Sequence, residues 1–239
     1  MKIANFTKAK IIFELTKHIN MKKLGFRSIM LAGMLACAFA PVSADNDKDE
    51  CCDNQDKCTE VCSNDVVKTI MARRSIRKYK EQPVEDAKIN AILKCGINAP
   101  TGMYKQSWQV RVVRNPEFLD KLDKGFTAQR VKMGKKGKAR ACYGAPCLIF
   151  IAYDPGYDMS QVDCGLLGEN IVLSAQSMGL GTCCLGQVTR FMMSEDGKEL
   201  LSQLEIPSTH RLLYAIALGY PDEAPDAKPR DMGKVKFID

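Results

Sequence analysis

Apolar positions recur at helical spacing in three stretches of the chain. The first follows Asp65, a residue that can cap a helix, and ends before a basic run at residues 73–78. The second opens at Pro83 and stops near residues 96–100, with its branched apolar side chains on one face. The third covers residues 163–178, and the glycines after it are typical of a helix end. The pattern therefore predicts three helices, of which the last is long and buried.

Strand patterns occur in three further stretches. Apolar and polar residues alternate over residues 108–112, as in a half-buried strand, and residues 145–153 form a continuous apolar run typical of a central strand. Residues 211–218 predict a last strong strand. Residues 125–138 are rich in Lys and Gly, so we expect a mobile basic loop there. Because helices and strands mix without strict alternation, the predicted fold class is α+β.

The amino-terminal segment predicts export. Basic residues between 22 and 27 precede an uncharged run at residues 29–40, and small residues follow it, so residues 1–44 are interpreted as a signal peptide. Met21 begins a well-proportioned signal and is the suspected true start. The run is too short to span a bilayer comfortably, so a stable membrane anchor is not expected. Cys37 leaves a lipoprotein as an alternative to a periplasmic or secreted protein.

Charge is unevenly distributed along the chain. The formal net charge of +7 falls to about +1 without residues 1–44, which hold seven Lys and Arg and one Glu, so nucleic-acid binding is not implied. Residues 45–65 hold eight Asp and Glu against two Lys and almost no large apolar side chains. Such a segment cannot bury enough surface to fold alone, and we expect a tether.

Four cysteines crowd this acidic segment. They are Cys51, Cys52, Cys58 and Cys62. In an exported protein an even cluster favours disulfides. Zinc or iron–sulfur ligation stays an alternative, although the spacing matches no common metal motif.

The scarcity of histidine argues against several enzyme classes. Only His18 and His210 exist, and His18 falls within the predicted signal segment. A histidine-based zinc site or a Ser-His-Asp triad is therefore disfavoured. A redox enzyme whose cofactor supplies the reactive atom fits this inventory, because it needs no catalytic acid or base from the protein.

Five motifs in order carry a resemblance to a known family. Residues 73–77 read Arg-Arg-Ser-Ile-Arg, which offers planar donors suited to a phosphate, although a solvated basic helix end is the alternative. Residues 99–102, 179–186, 219–221 and 228–230 follow, and read Ala-Pro-Thr-Gly, Gly-Leu-Gly-Thr-Cys-Cys-Leu-Gly, Gly-Tyr-Pro and Lys-Pro-Arg. In that order and spacing the chain resembles the nitroreductase family of FMN-dependent oxidoreductases.

The resemblance covers roughly residues 66–230, and residues 66–239 are expected to form the FMN-binding domain. It implies a central mixed sheet flanked by helices, in a homodimer with swapped contacts and two interfacial FMN sites built from both subunits. The implied FMN-binding residues are Arg73, Arg74, Ser75, Arg77, Pro100, Thr101, Gly102, Tyr104, Cys184, Leu185, Gly186, Lys228 and Arg230.

The resemblance also assigns these residues to parts of the cofactor. The basic run at 73–77, with Lys228 and Arg230, would hold the phosphate and ribityl chain. Residues 100–104 would reach the flavin of the partner subunit, with Tyr at 104 where many members carry Asn. The backbone of residues 184–186 would lie along the isoalloxazine, with Cys at 184 where relatives often have Trp.

The implied chemistry is ping-pong transfer at FMN N5. A reduced nicotinamide, NADH or NADPH, would pass hydride to the flavin, and a small-molecule acceptor such as a nitroaromatic or quinone would then take its place. Export makes a periplasmic donor an alternative to the nicotinamide. The alternative function is a flavin-binding or thiol–disulfide redox protein without NAD(P)H-dependent turnover.

Overall fold

The computed structural model describes residues 64–137 and 140–239 of the 239-residue chain. The predicted signal segment and nearly all of the predicted tether, with its four cysteines, lie outside the described residues.

The described residues form helices and strands in mixed order. In sequence they are α1 (Asp65–Ala72), α2 (Asp86–Ile97), β1 (Trp108–Val113), α3 (Pro116–Lys132), β2 (Cys147–Tyr153), α4 (Ser160–Ser177), β3 (Gly181–Leu185), α5 (Gly186–Met192), α6 (Lys198–Ser202) and β4 (Arg211–Gly219). Short 3-10 turns occupy Gly102–Tyr104, Glu195–Gly197 and Met232–Lys234. No helix in the described ranges is long and apolar enough to cross a membrane.

The four strands form one sheet in the order β1-β2-β4-β3, and every neighbouring pair is antiparallel. The α+β class is confirmed. The sheet was expected to contain parallel and antiparallel strands. In the described chain, the only parallel pairing is the isolated bridge between Ser75 and Thr182. β3 lies at one edge, and this bridge occupies its open side.

Two hydrophobic clusters cover the two faces of the sheet. Along β2, Leu148, Phe150 and Ala152 join the cluster with α3 and α5, whereas Ile149 and Ile151 join the cluster with α2 and α4. This alternation follows from the two-residue period of a strand. Because both faces are covered, the strand is apolar throughout, as its continuous apolar run predicted.

Two predicted helix starts were wrong by a short distance. α1 is capped by Asn64, whose side chain accepts a hydrogen bond from the Val66 amide at 2.9 Å, and Asp65 is its first residue. α2 begins at Asp86 rather than Pro83 because Glu85 keeps an extended backbone at the cap position.

The predicted mobile loop at residues 125–138 was also wrong for its first part. Residues 125–132 are the carboxyl half of α3, which begins with the cap Asn115 and Pro116 at its first position. Phe118, Leu122 and Phe126 recur every four residues and are buried against the sheet. The exposed lysines of α3, which are Lys121, Lys124 and Lys132, lie on the solvent side of this amphipathic helix.

Candidate functional site

The basic run is an extended segment on the open edge of β3. The amide of Ile76 donates to the carbonyl of Thr182 at 2.9 Å, and Ser75 forms the parallel bridge to the same residue. Ile76 is buried against Gly181, where an added Cβ would lie 2.7 Å from its side chain. Because side chains alternate along an extended chain, burying Ile76 turns Ser75 and Arg77 outward.

The three arginines of the run differ in their partners. Arg74 donates to the carbonyls of Met71 and Arg73, which caps the end of α1. Arg77 donates from Nη1 to the carbonyl of Ser75 at 3.3 Å. Arg73 is half-buried as a residue, and within residues 64–137 and 140–239 its guanidinium has no hydrogen bond or ion pair. A guanidinium that lacks a protein partner offers its donors to an anion.

β3 carries two adjacent cysteines in different environments. Cys183 is buried, and burial raises the pKa of its thiol, while the Arg77 and Arg73 guanidinia oppose that rise. Cys184 is accessible to solvent on the other face, yet nearby protein atoms desolvate its thiolate and raise its pKa. The charges of Cys183 and Glu169 raise the pKa of Cys184 further, and Arg73 again opposes them. Arg73 therefore acts electrostatically on both thiols.

The backbone after Cys184 has open space at Gly186. Leu185 is buried at the end of β3, whereas Gly186 is exposed and begins α5. A Cβ at position 186 would meet no atom within 4 Å. The structure thus brings the predicted residues of the basic run and residues 184–186 together at one sheet edge.

The carboxyl-terminal segment crosses the same region. Tyr79 forms an antiparallel bridge with Pro221, and the amide of Arg77 donates to the carboxylate of Glu223. Lys228 and Arg230 lie farther along in an exposed stretch, where Arg230 donates to the carbonyl of Lys228 at 3.0 Å. No hydrogen bond or ion pair in the described structure joins these two side chains to the basic run.

The predicted loop after α2 has an unusual backbone. Met103, Tyr104 and Gln106 have positive φ angles of 52°, 55° and 46°, the left-handed region that side chains rarely adopt. Tyr104 is 91% exposed. The loop is not joined by hydrogen bonds or ion pairs to the basic run in the same chain, as far as the described residues extend.

A residue that sequence reasoning missed fixes this loop. The buried carboxyl group of Asp163 accepts a hydrogen bond from the amide of Gly102 at 3.0 Å and from the hydroxyl of Ser107 at 3.2 Å. One feature of the sequence could have identified Asp163: an acidic residue stands where the helical pattern of α4 expects an apolar one. Asp163 and Leu167 are four residues apart, so they share a helix face, and both are buried.

The arrangement offers anion-binding donors and an open edge, and the described residues form no group of three or more side chains suited to a metal. Comparison with known proteins decides the family. Residues 70–220 match the model of the nitroreductase family. The chain belongs to the nitroreductase family.

Individual nitroreductase relatives match across most of their own length. A chain from Archaeoglobus fulgidus, assigned as an NADH dehydrogenase/NAD(P)H nitroreductase, is 33% identical over 165 residues, which is 67% of this chain and 87% of the relative. The NADPH-flavin oxidoreductase of Vibrio harveyi is 28% identical over 173 residues, 70% of each chain. The crystal structure of a Bacteroides fragilis nitroreductase with bound FMN has 27% identity and a TM-score of 0.67, and the match covers 74% of this chain and all of that one.

The remaining cysteines of this family member are distributed between core and surface. All six cysteines in the described ranges are free thiols. Burial raises the pKa of Cys142 and Cys164 to about 11 and that of Cys147 to about 12, whereas Cys95 is exposed. The three buried thiols are therefore core residues with little thiolate at neutral pH.

Proposed function

We propose that this nitroreductase family member is an FMN-dependent oxidoreductase whose flavin phosphate binds the basic run. The observation that carries the proposal is the guanidinium of half-buried Arg73, which lacks a hydrogen-bond or ion-pair partner among the described residues and lies close enough to β3 to act on the thiols of Cys183 and Cys184. A phosphate would satisfy those donors with charge-assisted hydrogen bonds. The matching B. fragilis structure contains FMN.

The residues present fit such a ligand. Arg73, Arg77 and the hydroxyl of Ser75 would hold the phosphate, and Arg74 would contribute the guanidinium nitrogens that the end of α1 does not use. The empty space beside Gly186 would admit the flat ring along residues 184–186. Lys228 and Arg230 would complete the phosphate site, and Pro100, Thr101, Gly102 and Tyr104 would reach the flavin of the partner subunit.

The bound flavin would supply N5, the atom that exchanges hydride with substrates. This chain's part is then to bind the cofactor, orient it and stabilise negative charge on it with its cations. The electron donor is proposed to be NADH or NADPH, in a ping-pong sequence with a nitroaromatic, a quinone or a similar acceptor. This assignment follows relatives named for reduction with NADPH or with NAD(P)H.

Export is a further part of the proposal. The signal pattern of residues 1–44 supports a periplasmic or secreted protein, and the cysteines of residues 45–65 are proposed to form disulfides there. In that compartment a donor other than a nicotinamide would serve the same flavin. The sequence alone supports this part.

Protection of Cys184 by FMN tests the site directly. Because desolvation raises its pKa, alkylation with iodoacetamide is carried out at about pH 8.5, where more thiolate forms. FMN is expected to slow alkylation of Cys184, since the ring would cover it, and to leave exposed Cys95 unaffected as the matched control. Mass spectrometry of each labelled peptide measures both rates. Equal labelling of Cys184 with and without saturating FMN would place the flavin elsewhere.

A homodimer is the expected assembly, because two helices expose apolar residues. On α1, Val66 is 64% and Met71 is 56% exposed, and on α4 Val162 and Leu166 are 49% and 42% exposed. Light scattering should give a mass of twice 26.6 kDa for the full chain.

A charged substitution locates the dimer contact. Val162→Asp is expected to shift the protein toward monomer and to release FMN, whereas Val131→Asp on α3, where Val131 is 60% exposed, should do neither. A wild-type monomer that retains stoichiometric FMN would be incompatible with a site shared between subunits.

A further inference from the structure

The loop between α2 and β1 is held in a conformation that its own residues disfavour. Met103, Tyr104 and Gln106 all have left-handed backbones, although none is glycine. Such residues persist where surrounding contacts hold them, and they concentrate at functional sites. The conformation of this loop, and any function that depends on it, therefore requires the contacts that hold it.

Asp163 supplies contacts at both ends of the left-handed stretch. The residue is 2% exposed, and its two carboxyl oxygens have separate partners. Oδ1 accepts from the amide of Gly102 at 3.0 Å, before the stretch, and Oδ2 accepts from the hydroxyl of Ser107 at 3.2 Å, after it. One side chain thus fixes the separation between the start and the end of the loop.

The neighbours of Asp163 fix the loop from the same side. The hydroxyl of Ser160, one turn earlier on α4, donates to the carbonyl of Ser107 at 2.7 Å and accepts from the amide of Asp154 at 2.9 Å. Tyr157 lies so close to Gly102 that an added Cβ would overlap its hydroxyl. Burial raises the pKa of Tyr157, and the nearby Asp163 raises it further. Residues at and just before the start of α4 therefore contact both Gly102 and Ser107.

We propose that Asp163 is a positioning residue of the flavin site, which holds Thr101 and Gly102 where they reach the flavin of the partner subunit. This inference rests on the proposed function, because that function places residues 100–104 against the cofactor. Asp163 itself is buried beneath the loop and acts through it. Losing its two hydrogen bonds leaves the helix packing of α4 in place but releases the loop.

The test compares three variants of the full chain. Asp163→Ala removes both acceptors, whereas Asp163→Asn keeps one acceptor for Gly102 and can donate to the hydroxyl of Ser107. Asp123→Ala is the matched control, because Asp123 also accepts a loop amide, that of Ala141 at 2.6 Å, away from the flavin loop. Hydrogen exchange of residues 102–107, measured by mass spectrometry, reports loop order without any ligand, and flavin fluorescence reports the FMN dissociation constant.

In Asp163→Ala the loop amides should exchange at least about tenfold faster, with exchange in β2 unchanged, and FMN should bind about tenfold more weakly or worse. Asp163→Asn should recover most of both properties, and Asp123→Ala should change neither. Ser107→Ala, which removes one donor and leaves Asp163 in place, should give a smaller loosening of the loop and provides the measurement if Asp163→Ala does not fold.

Each contrary result has a separate meaning. Wild-type exchange rates in both Asp163→Ala and Ser107→Ala would overturn the anchoring role. A loosened loop with unchanged FMN affinity would overturn the link to the flavin while leaving the proposed function intact. A wild-type chain that binds no FMN would overturn the proposed function, and with it the flavin part of this inference, whereas the exchange measurement would still decide the anchor.

Discussion

Replacing Arg73 with alanine is expected to weaken FMN binding by about ten- to a hundredfold, the loss of a charge-assisted hydrogen-bond pair to a phosphate. Within the described residues, the guanidinium of Arg73 has no hydrogen-bond or ion-pair partner, so its removal should leave folding intact. Arg73→Lys should fall between wild type and Arg73→Ala, because an ammonium keeps the charge and loses the planar pair of donors.

Titration of flavin fluorescence at two salt concentrations measures this effect. The wild-type affinity should fall with added salt, and the Arg73→Ala affinity should fall less, since one of the screened charges is gone. Arg211→Ala is the matched control: Arg211 is exposed at the start of β4, at the other end of that strand from Gly219. Wild-type affinity in Arg73→Ala would remove the observation on which the proposed phosphate site depends.

Substituting Gly168 with alanine should be the most damaging single change to the fold among those considered. Gly168 is buried on α4 against Tyr214, whose hydroxyl donates to the carbonyl of Cys164 at 2.9 Å. A Cβ at position 168 would overlap that hydroxyl. Overpacking together with a lost hydrogen bond should lower the free energy of unfolding by about 2 to 4 kcal/mol.

The same helix offers the control. A Cβ at Gly165 would meet nothing within 4 Å, so Gly165→Ala should raise the free energy of unfolding by about 0.5 to 1 kcal/mol through helix propensity. Tyr214→Phe, combined with Gly168→Ala, removes the overlapping hydroxyl and should recover part of the stability that Gly168→Ala loses. Urea unfolding followed through the single tryptophan, Trp108, compares the wild type, the two alanine variants and this double variant. Equal stabilities of the two alanine variants would contradict the described packing of α4 on the sheet.

The local pattern of apolar and polar residues predicted some strands correctly and missed another. β2 and β4 were predictable because strands covered on both faces are continuously apolar. β3 was missed, since its five residues follow glycines at a helix end and owe their extended form to pairing with β4. That pairing joins residues more than 25 positions apart, which no local window contains.

The candidate site also combines features that the sequence predicted with features that depend on long-range contacts. The residue types of the basic run and their order relative to residues 184–186 were readable from the sequence, and family membership supports that interpretation. The position of the run on the open edge of β3 depends on the long-range bridge between Ser75 and Thr182. Asp163 was not predicted as a site residue, because its role depends on hydrogen bonds from Gly102 and Ser107. These partners come from a distant part of the chain, and the local sequence around Asp163 does not reveal them.

The most direct test of the central claim is anaerobic reduction of the purified, FMN-loaded protein. On addition of NADH or NADPH the yellow flavin absorbance should bleach, because the proposed site would bring the nicotinamide to N5. A nitroaromatic or quinone added afterwards should restore the colour and be consumed in proportion. A protein that binds FMN but stays yellow with both nicotinamides would contradict the proposed NAD(P)H-dependent oxidoreductase.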